Sequence, residues 1–456
     1  MTAAITAVHA RQILDCRGYP TVQVDVWAGA APGEPAALHG RAAVPSGRST
    51  GAAEAVELRD GGAEYRGFGV TRAVANVNEI MGPAVAGRDV TDQAGLDAFL
   101  NELDGTPRKS HLGANALAGV SLAAAHCAAA VRGLPLHRSL NGRSRTLPVP
   151  LINLVGGGRL TSNDLAFQEF IMMPVGARSF AGAIRMASEC HMALEEIVVS
   201  RYGKLSANTG DEGDFATPIV DVREALAVVR EGVAAAGYAG DTVYALDCAA
   251  THLWDPASET YAVGGERLST AAMIDLYREL VRDFAVASIE DPLHEEDWEG
   301  WAELTTALPD TQFVGDDLLV TDPARVRRGV AAGAGNALLW KFNQIGTLTE
   351  AFEAARIAVG AEWGVCVSER SGETEDASIA DLVVALGAGQ IKTGSPVRGE
   401  RTAKYNRLLE IEEWLGAEAV YPGRDFRTAP VAAAATGSGS SAGRAATDTT
   451  GTTGGV

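Results

Sequence analysis

Six charged residues, Asp247, Glu290, Asp316, Lys341, Arg370 and Lys392, each close a short apolar run: VYALD, VASIE, QFVGD, ALLWK, VCVSER and GQIK. Three of them are carboxylates, a hard oxygen set of the kind that holds Mg²⁺. Two are lysines, and an ammonium near a cation and a second ammonium has its pKa lowered. That makes Lys341 a candidate general base. Taking a proton from the carbon next to a carboxylate builds a second negative charge on that carboxylate, so cations gathered there are what the chemistry requires.

If the reaction is a β-elimination, it also needs an acid for the departing hydroxide. GDEG, with Asp211 and Glu212, and QEF, with Gln168 and Glu169, supply carboxylates in the same half of the chain. Two neighbouring acids push one pKa upward and keep a proton available at neutral pH. Glu212 is the candidate acid and Glu169 its partner.

These groups need a scaffold that brings six strand ends to one place. The successive spacings are 43, 26, 25, 29 and 22 residues, each with room for one helix and two loops. That is the rhythm of parallel strands in a (β/α) barrel, whose carboxyl ends share one face. Before it, TVQVDVW and HGRAAVPSG read as strands, with helical patterns over Val70–Ile80 and GANALAGVSLAAAHCAAAVRG. The expected fold is α/β: an N-terminal α+β domain at 1–142, a modified TIM barrel at 143–430, and a low-complexity tail at 431–456.

Of 456 residues, 58 are acidic and 38 are lysine or arginine, a net charge of −20. A phosphate backbone needs a basic surface, so a nucleic-acid partner is not expected. The five scattered cysteines form no CxxC pair, which reads as a reduced, cytoplasmic protein without thiolate zinc. The N-terminus lacks the basic region and apolar core of a signal peptide. Ser110–Val131 is alanine-rich and broken by polar residues, so an interior helix and not a membrane span is expected.

The motifs resemble those of the enolase (phosphopyruvate hydratase) family from about Ile13 to Gly423. They are PSGRSTG (45–51), ELRDG (57–61), KSHLGANA (109–116), QEF (168–170), GDEG (210–213), DCAA (247–250), SIEDP (288–292), GDDL (315–318), KFNQIG (341–346), RSGETED (370–376) and IKTG (391–394). The resemblance implies a structural Mg²⁺ on Asp247, Glu290 and Asp316, and a second, substrate-borne Mg²⁺ joined by Ser49. It implies Lys341 as base, Glu212 as acid and Lys392 as a cation beside the substrate carboxylate. Arg370 and Ser371 would grip the phosphate, using the planar guanidinium fork. It also implies a homodimer, through Arg17 in DCRGYPT, where the family reads DSRGNPT.

Departures from the family pattern cluster around the substrate. Leu160 and Glu369 stand where enolases carry histidines in NGGxHA and SHRSGETED, and Glu369 beside Arg370 is expected to repel a phosphate. Arg48 replaces a small residue, Asp214 replaces a glycine, and Arg159 adds a cation. Together they suggest a pocket for a second or larger anionic group. Enolase relatives of that kind include carboxyphosphonoenolpyruvate synthases, which join the phosphonoformate unit of CMP-phosphonoformate to 2-phosphoglycerate in phosphinate natural-product pathways. That reaction is the main expectation, with an ordinary phosphopyruvate hydratase as the alternative and a non-catalytic binding protein as a third.

Overall fold

The computed structural model describes residues 3–427. The tail expected at 431–456 lies outside the described residues. Three strands open the chain: β1 (Ile5–Leu14), β2 (Pro20–Ala28) and β3 (Leu38–Ala43), an antiparallel meander in the order β1-β2-β3. β1 was not among the expected strands. The helix Ala114–Arg132 lies across β2 and β3. It is long and apolar enough to cross a membrane by length and composition, yet it is buried almost end to end against this sheet. Its alanines permit a close approach, and Gly40 on β3 completes the fit. A Cβ at Gly40 would come within 2.2 Å of Ala123 O and Cys127 N, so only glycine is accommodated there. The helical pattern expected from Val70 is present as a continuous stretch from Thr71 to Val85, with a π-turn at Asn76–Met81.

The second part is a closed eight-stranded barrel. Its strands are β4 (Val149–Gly156), β5 (Glu169–Met173) and β6 (Val243–Asp247), then, past a small sheet of β7 (Trp254–Asp255), β8 (Thr260–Val263) and β9 (Glu266–Leu268), β10 (Val286–Glu290), β11 (Gln312–Gly315), β12 (Ala337–Trp340), β13 (Gly364–Ser368) and β14 (Gln390–Lys392). The closed order is β10-β11-β12-β13-β14-β4-β5-β6. Parallel pairing holds around the barrel except at β5, which runs antiparallel to both β4 and β6. The six strands expected from the sequence all pair in parallel, and β5 lies outside that set. Six helices between strands start from side-chain caps: Ser179, Asp221, Ser269, Asp297, Asp322 and Thr347 each accept a first-turn N–H.

Inside the barrel, Val149, Leu151, Ile171, Met173, Ala245, Val314, Ala337, Leu339 and Cys366 form an apolar plug. Gln312 and Gln390 cross it, exchanging hydrogen bonds of 2.7 and 3.0 Å, and Gln312 also donates to Ser288 at 2.9 Å. Strand side chains alternate with a period of two. The residues two positions beyond Ala245, Ser288, Val314, Leu339 and Gln390 therefore also point inward, one layer above the plug. They are Asp247, Glu290, Asp316, Lys341 and Lys392.

Candidate active site

The charged layer is organised around two buried ammoniums. Lys392 Nζ donates to Glu290 Oε2 at 2.7 Å, Glu169 Oε1 at 3.0 Å and Asp247 Oδ2 at 3.1 Å. Lys341 Nζ donates to Asp316 Oδ2 at 2.6 Å, and Gln344 donates to the other Asp316 oxygen at 2.7 Å. Gln168 Nε2 donates to Asp247 Oδ2 at 3.1 Å. Glu169 reaches this layer because β5 is reversed: its first residue pairs with Asp247, the last residue of β6.

Burial opposes ionisation of Glu169, Glu290, Asp316, Lys341 and Lys392, and the local partners decide the outcome. Burial and the neighbouring Glu212 charge push Glu169 well above the usual carboxylate range. Glu290 is likewise pushed well up by burial and Asp247. Burial works against Asp316 too, but Lys341 and Arg370 hold its carboxyl below the usual value. For Lys341 burial lowers the pKa and Asp316 more than reverses it, so the ammonium is held above its ordinary value. The expected lowering of the Lys341 pKa is thus overturned, because a direct ion pair to Asp316 outweighs burial and the more distant cations. Glu169, the group expected to partner Glu212, is the carboxyl raised here by burial and by the Glu212 charge.

The metal-ligand set is brought to one face but not to one point. Asp247 and Glu290 share Lys392, while Asp316 sits on Lys341. The tightest carboxylate group among the described residues is Asp291, Asp316 and Asp317, whose ligand atoms lie within 4.8 Å of one another. Asp291 and Asp317 lie beside the expected ligands Glu290 and Asp316 in the chain. Asp291 accepts the backbone N–H groups of Asp316 and Asp317, at 2.9 and 2.8 Å, so it shapes the turn that presents Asp316.

The loop 45–51 is folded over this layer. Ser49 Oγ is hydrogen-bonded to His252 Nε2, and Ser49 O accepts from Arg370 at 3.3 Å. Arg48 spans to the GDEG loop, with Nη1 2.8 Å from Asp211 Oδ2, and its N–H donates to Ser371 Oγ at 3.0 Å. Arg370 is forked on Glu54, at 2.9 and 3.1 Å. Glu54 and His252 were missed because nothing in their spacing marks them. Each meets its partner only through the tertiary fold.

Glu369 does not face a phosphate site as a bare repelling charge. It forms a buried ion pair with Arg401, which also donates to Ser371 O at 2.7 Å and Asp211 O at 3.0 Å. That corrects the expected repulsion, since the guanidinium compensates the carboxylate. The second oxygen, Glu369 Oε1, is buried without a partner. Leu160 is buried and its carbonyl accepts from Asp211 N at 3.2 Å, while Arg159 is exposed. Asp214 is fully buried, and burial with the Glu212 charge raises its carboxyl to about 7. Arg17 is engaged within its own chain, with Asp15 at 2.8 Å, Ser46 O and Ser371 Oγ.

Comparison with known proteins agrees with this architecture. The family profile described as the enolase C-terminal TIM barrel domain matches residues 144–430, and that of the enolase N-terminal domain matches residues 5–140. The chain is thus an enzyme of the enolase superfamily, built on a barrel with an N-terminal α+β layer. Proteins named enolase from Thermococcus gammatolerans and Thermococcus kodakarensis are each 53% identical over 427 residues, covering 93% of this chain and 98% of the relative. One from Pyrococcus furiosus is 52% identical over the same shares. The chain belongs to the enolase family.

Proposed function

We propose that the chain is a Mg²⁺-dependent lyase that takes the α-proton from 2-phosphoglycerate and eliminates hydroxide to give phosphoenolpyruvate, as the relatives' names suggest. The observation that carries this is the pair of buried ammoniums set among carboxylates at the barrel's carboxyl-end face. The residues suit the metal. Carboxylates outnumber ammoniums in the layer, and Glu290 Oε1 is buried with no partner. Asp247, Glu290 and Asp316 would hold one Mg²⁺ and Ser49 would join a second. Bound there, Mg²⁺ supplies positive charge against the dianion that develops on the substrate carboxylate.

Lys341 Nζ then receives the α-proton. It must first be neutral, and it loses its proton more readily once Asp316's charge is engaged elsewhere, because burial, Arg370 and Lys392 all favour the amine. Lys392 stays charged beside the substrate carboxylate. On the opposite side, the Glu169 and Glu212 pair holds a proton for the leaving hydroxide, and Glu169 is the carboxyl that the fold keeps raised. Arg370 and Ser371 receive the phosphate. We further infer a cytoplasmic homodimer acting on small anionic substrates. A purely non-catalytic role gives no reason for this set to be kept.

A second reading, the carboxyphosphonoenolpyruvate synthase reaction with CMP-phosphonoformate, is favoured by one observation. Leu160 and the Arg401-bound Glu369 replace two histidines on the substrate side. Phosphorus NMR with Mg²⁺ and 2-phosphoglycerate, with and without CMP-phosphonoformate, separates the two. Phosphoenolpyruvate formed without the nucleotide is the expected result, and Leu160→His with Glu369→His should then raise that rate. A phosphonate product appearing only with the nucleotide would overturn the hydratase reading in favour of the second.

A further inference from the structure

The turn that carries Glu212 and the segment that carries Leu160 are laid side by side by backbone hydrogen bonds. Phe215 N–H donates to Leu154 O at 3.0 Å, Gly156 N–H to Phe215 O at 3.2 Å and Asp211 N–H to Leu160 O at 3.2 Å. Gly210 N–H closes the turn on Asp214 O at 2.8 Å. Between the two lies the Asp214 carboxyl, with no exposed surface and no partner on either oxygen. A Cβ on Gly156 would overlap Asp214 Oδ2, and one on Gly210 would lie 2.6 Å from the same oxygen. Thr161 Cγ2 would be 2.9 and 2.7 Å from those two Cβ positions. The oxygen is therefore wedged between two backbones that only glycine lets so close.

That geometry joins two departures of this chain into one. In the frame that sets Leu160 against the histidine of NGGxHA, Gly156 stands at the asparagine, and Asp214 replaces a glycine. A side chain on residue 156 would enter the space that the Asp214 carboxyl fills. A side chain from the turn has thus replaced one from the facing segment.

We propose that Asp214 is a positioning residue: by filling the gap over Gly156 its carboxyl holds segment 156–161 against the 210–214 turn, and so fixes where Leu160 and Glu212 stand relative to the substrate. The part about the substrate rests on the function proposed above; the coupling of the two segments does not. A buried carboxyl with no bonding partner keeps this fit only while it is neutral. Burial and the Glu212 charge raise it to about 7, Arg401 works against them, and Asp211 adds a small rise. The facing segment brings Gly156 and Thr161, which carry no charge, while Arg159 is exposed. From the helix Phe180–Tyr202, His191 stacks on the adjoining Phe215 with ring centroids 4.5 Å apart. Ionisation puts a bare charge in the gap, which water reaches only when the two segments part.

An exchange of side chains in the full chain tests this, assayed with Mg²⁺ and 2-phosphoglycerate. Asp214→Gly empties the gap and should lower kcat about 10-fold or more, because small displacements of reacting groups are costly. Gly156→Asn overfills it and should lose as much or fail to fold. The double variant, Gly156→Asn with Asp214→Gly, moves the side chain to the other wall and should recover most of the loss, a coupling that two independent defects would not show. Asp214→Asn, of the same shape, should match wild-type kcat at about pH 6 and exceed it at about pH 8. Hydrogen exchange of the 156–161 and 210–215 amides, read without substrate, should quicken together in Asp214→Gly and slow again in the double variant. Wild-type turnover and exchange in Asp214→Gly, a double variant no better than the worse single one, or an Asp214→Asn pH profile that superimposes on wild type would each overturn the proposal. If wild type fails to convert 2-phosphoglycerate, the function proposed above falls, and the exchange pattern still decides whether Asp214 couples the two segments.

Discussion

Two buried charge clusters in this molecule are built on opposite principles. At the seam between the N-terminal layer and the barrel, Asp381 accepts from Arg407 Nε at 2.7 Å and Nη2 at 2.9 Å, and from His137 Nδ1 at 2.9 Å. Burial opposes its ionisation, but Arg407 and His137 overcome that and hold it well below the usual carboxylate range. In the charged layer and the GDEG loop the reverse holds. Neither oxygen of Asp214 has a partner, and Glu169 Oε2, Glu212 Oε2 and Glu290 Oε1 are also buried and unpartnered. A buried charge that is fully bonded holds structure together, whereas one left short of partners costs stability unless it is protonated or meets a ligand. The difference separates the scaffold from the site.

The contrast can be tested from either side. Lys341→Ala should lower turnover by about 10⁴-fold or more in a chain that still folds cooperatively, although Asp316 loses its ion pair. Substantial turnover in that variant would remove Lys341 from the role of base. Asp381→Asn should cost about 3 kcal/mol in a denaturant titration, because Arg407 and His137 lose the carboxylate they share, leaving Arg407 only its more exposed pair to Glu410 at 2.9 Å. That cost should be full above about pH 4, where the unfolded carboxyl is ionised, and should shrink as the pH falls from there toward the depressed folded value.

Asp214→Asn should have the opposite sign. The folded carboxyl is raised to about 7, so wild-type stability is lost as the pH rises from about 4 through 7. The variant should therefore gain roughly 4 kcal/mol on wild type between pH 4 and pH 8, as read by urea melts. A difference independent of pH would show that Asp214 has found a partner after all. The smallest effect belongs to Arg48→Ala. Its ion pair to Asp211 is half exposed and contributes about 0.2–1 kcal/mol. KM for 2-phosphoglycerate should rise a few-fold at low salt, and the gap from wild type should narrow at high salt.

Much of the site was legible because strand periodicity and charge coincide. An acid or base closing an apolar run at barrel spacing points to the carboxyl-end face, and Asp247, Glu290, Asp316, Lys341 and Lys392 all arrive there. What stayed hidden depends on partners far away in the chain. The Lys341 pKa is set by an ion pair whose geometry no spacing gives. Glu369 looks hostile to phosphate until Arg401, 32 residues on, is placed against it. Glu54 and His252 carry no local pattern at all. The reversal of β5 was also hidden, since a five-residue strand reads the same in both directions.

That reversal has a consequence for how the molecule can change. In an ordinary βα unit, the loop that follows a strand leads into a helix, which insulates the next strand from alterations in the loop. Here loop 157–168 runs from the end of β4 straight into Gln168 and Glu169, with both of its ends on the reactive face. An insertion or deletion in that loop would shift Gln168 and Glu169 along with the charged layer they join. Variation is therefore channelled into substitutions at fixed length, and any attempt to retarget the enzyme should begin by exchanging residues 159 and 160 rather than by grafting a longer loop.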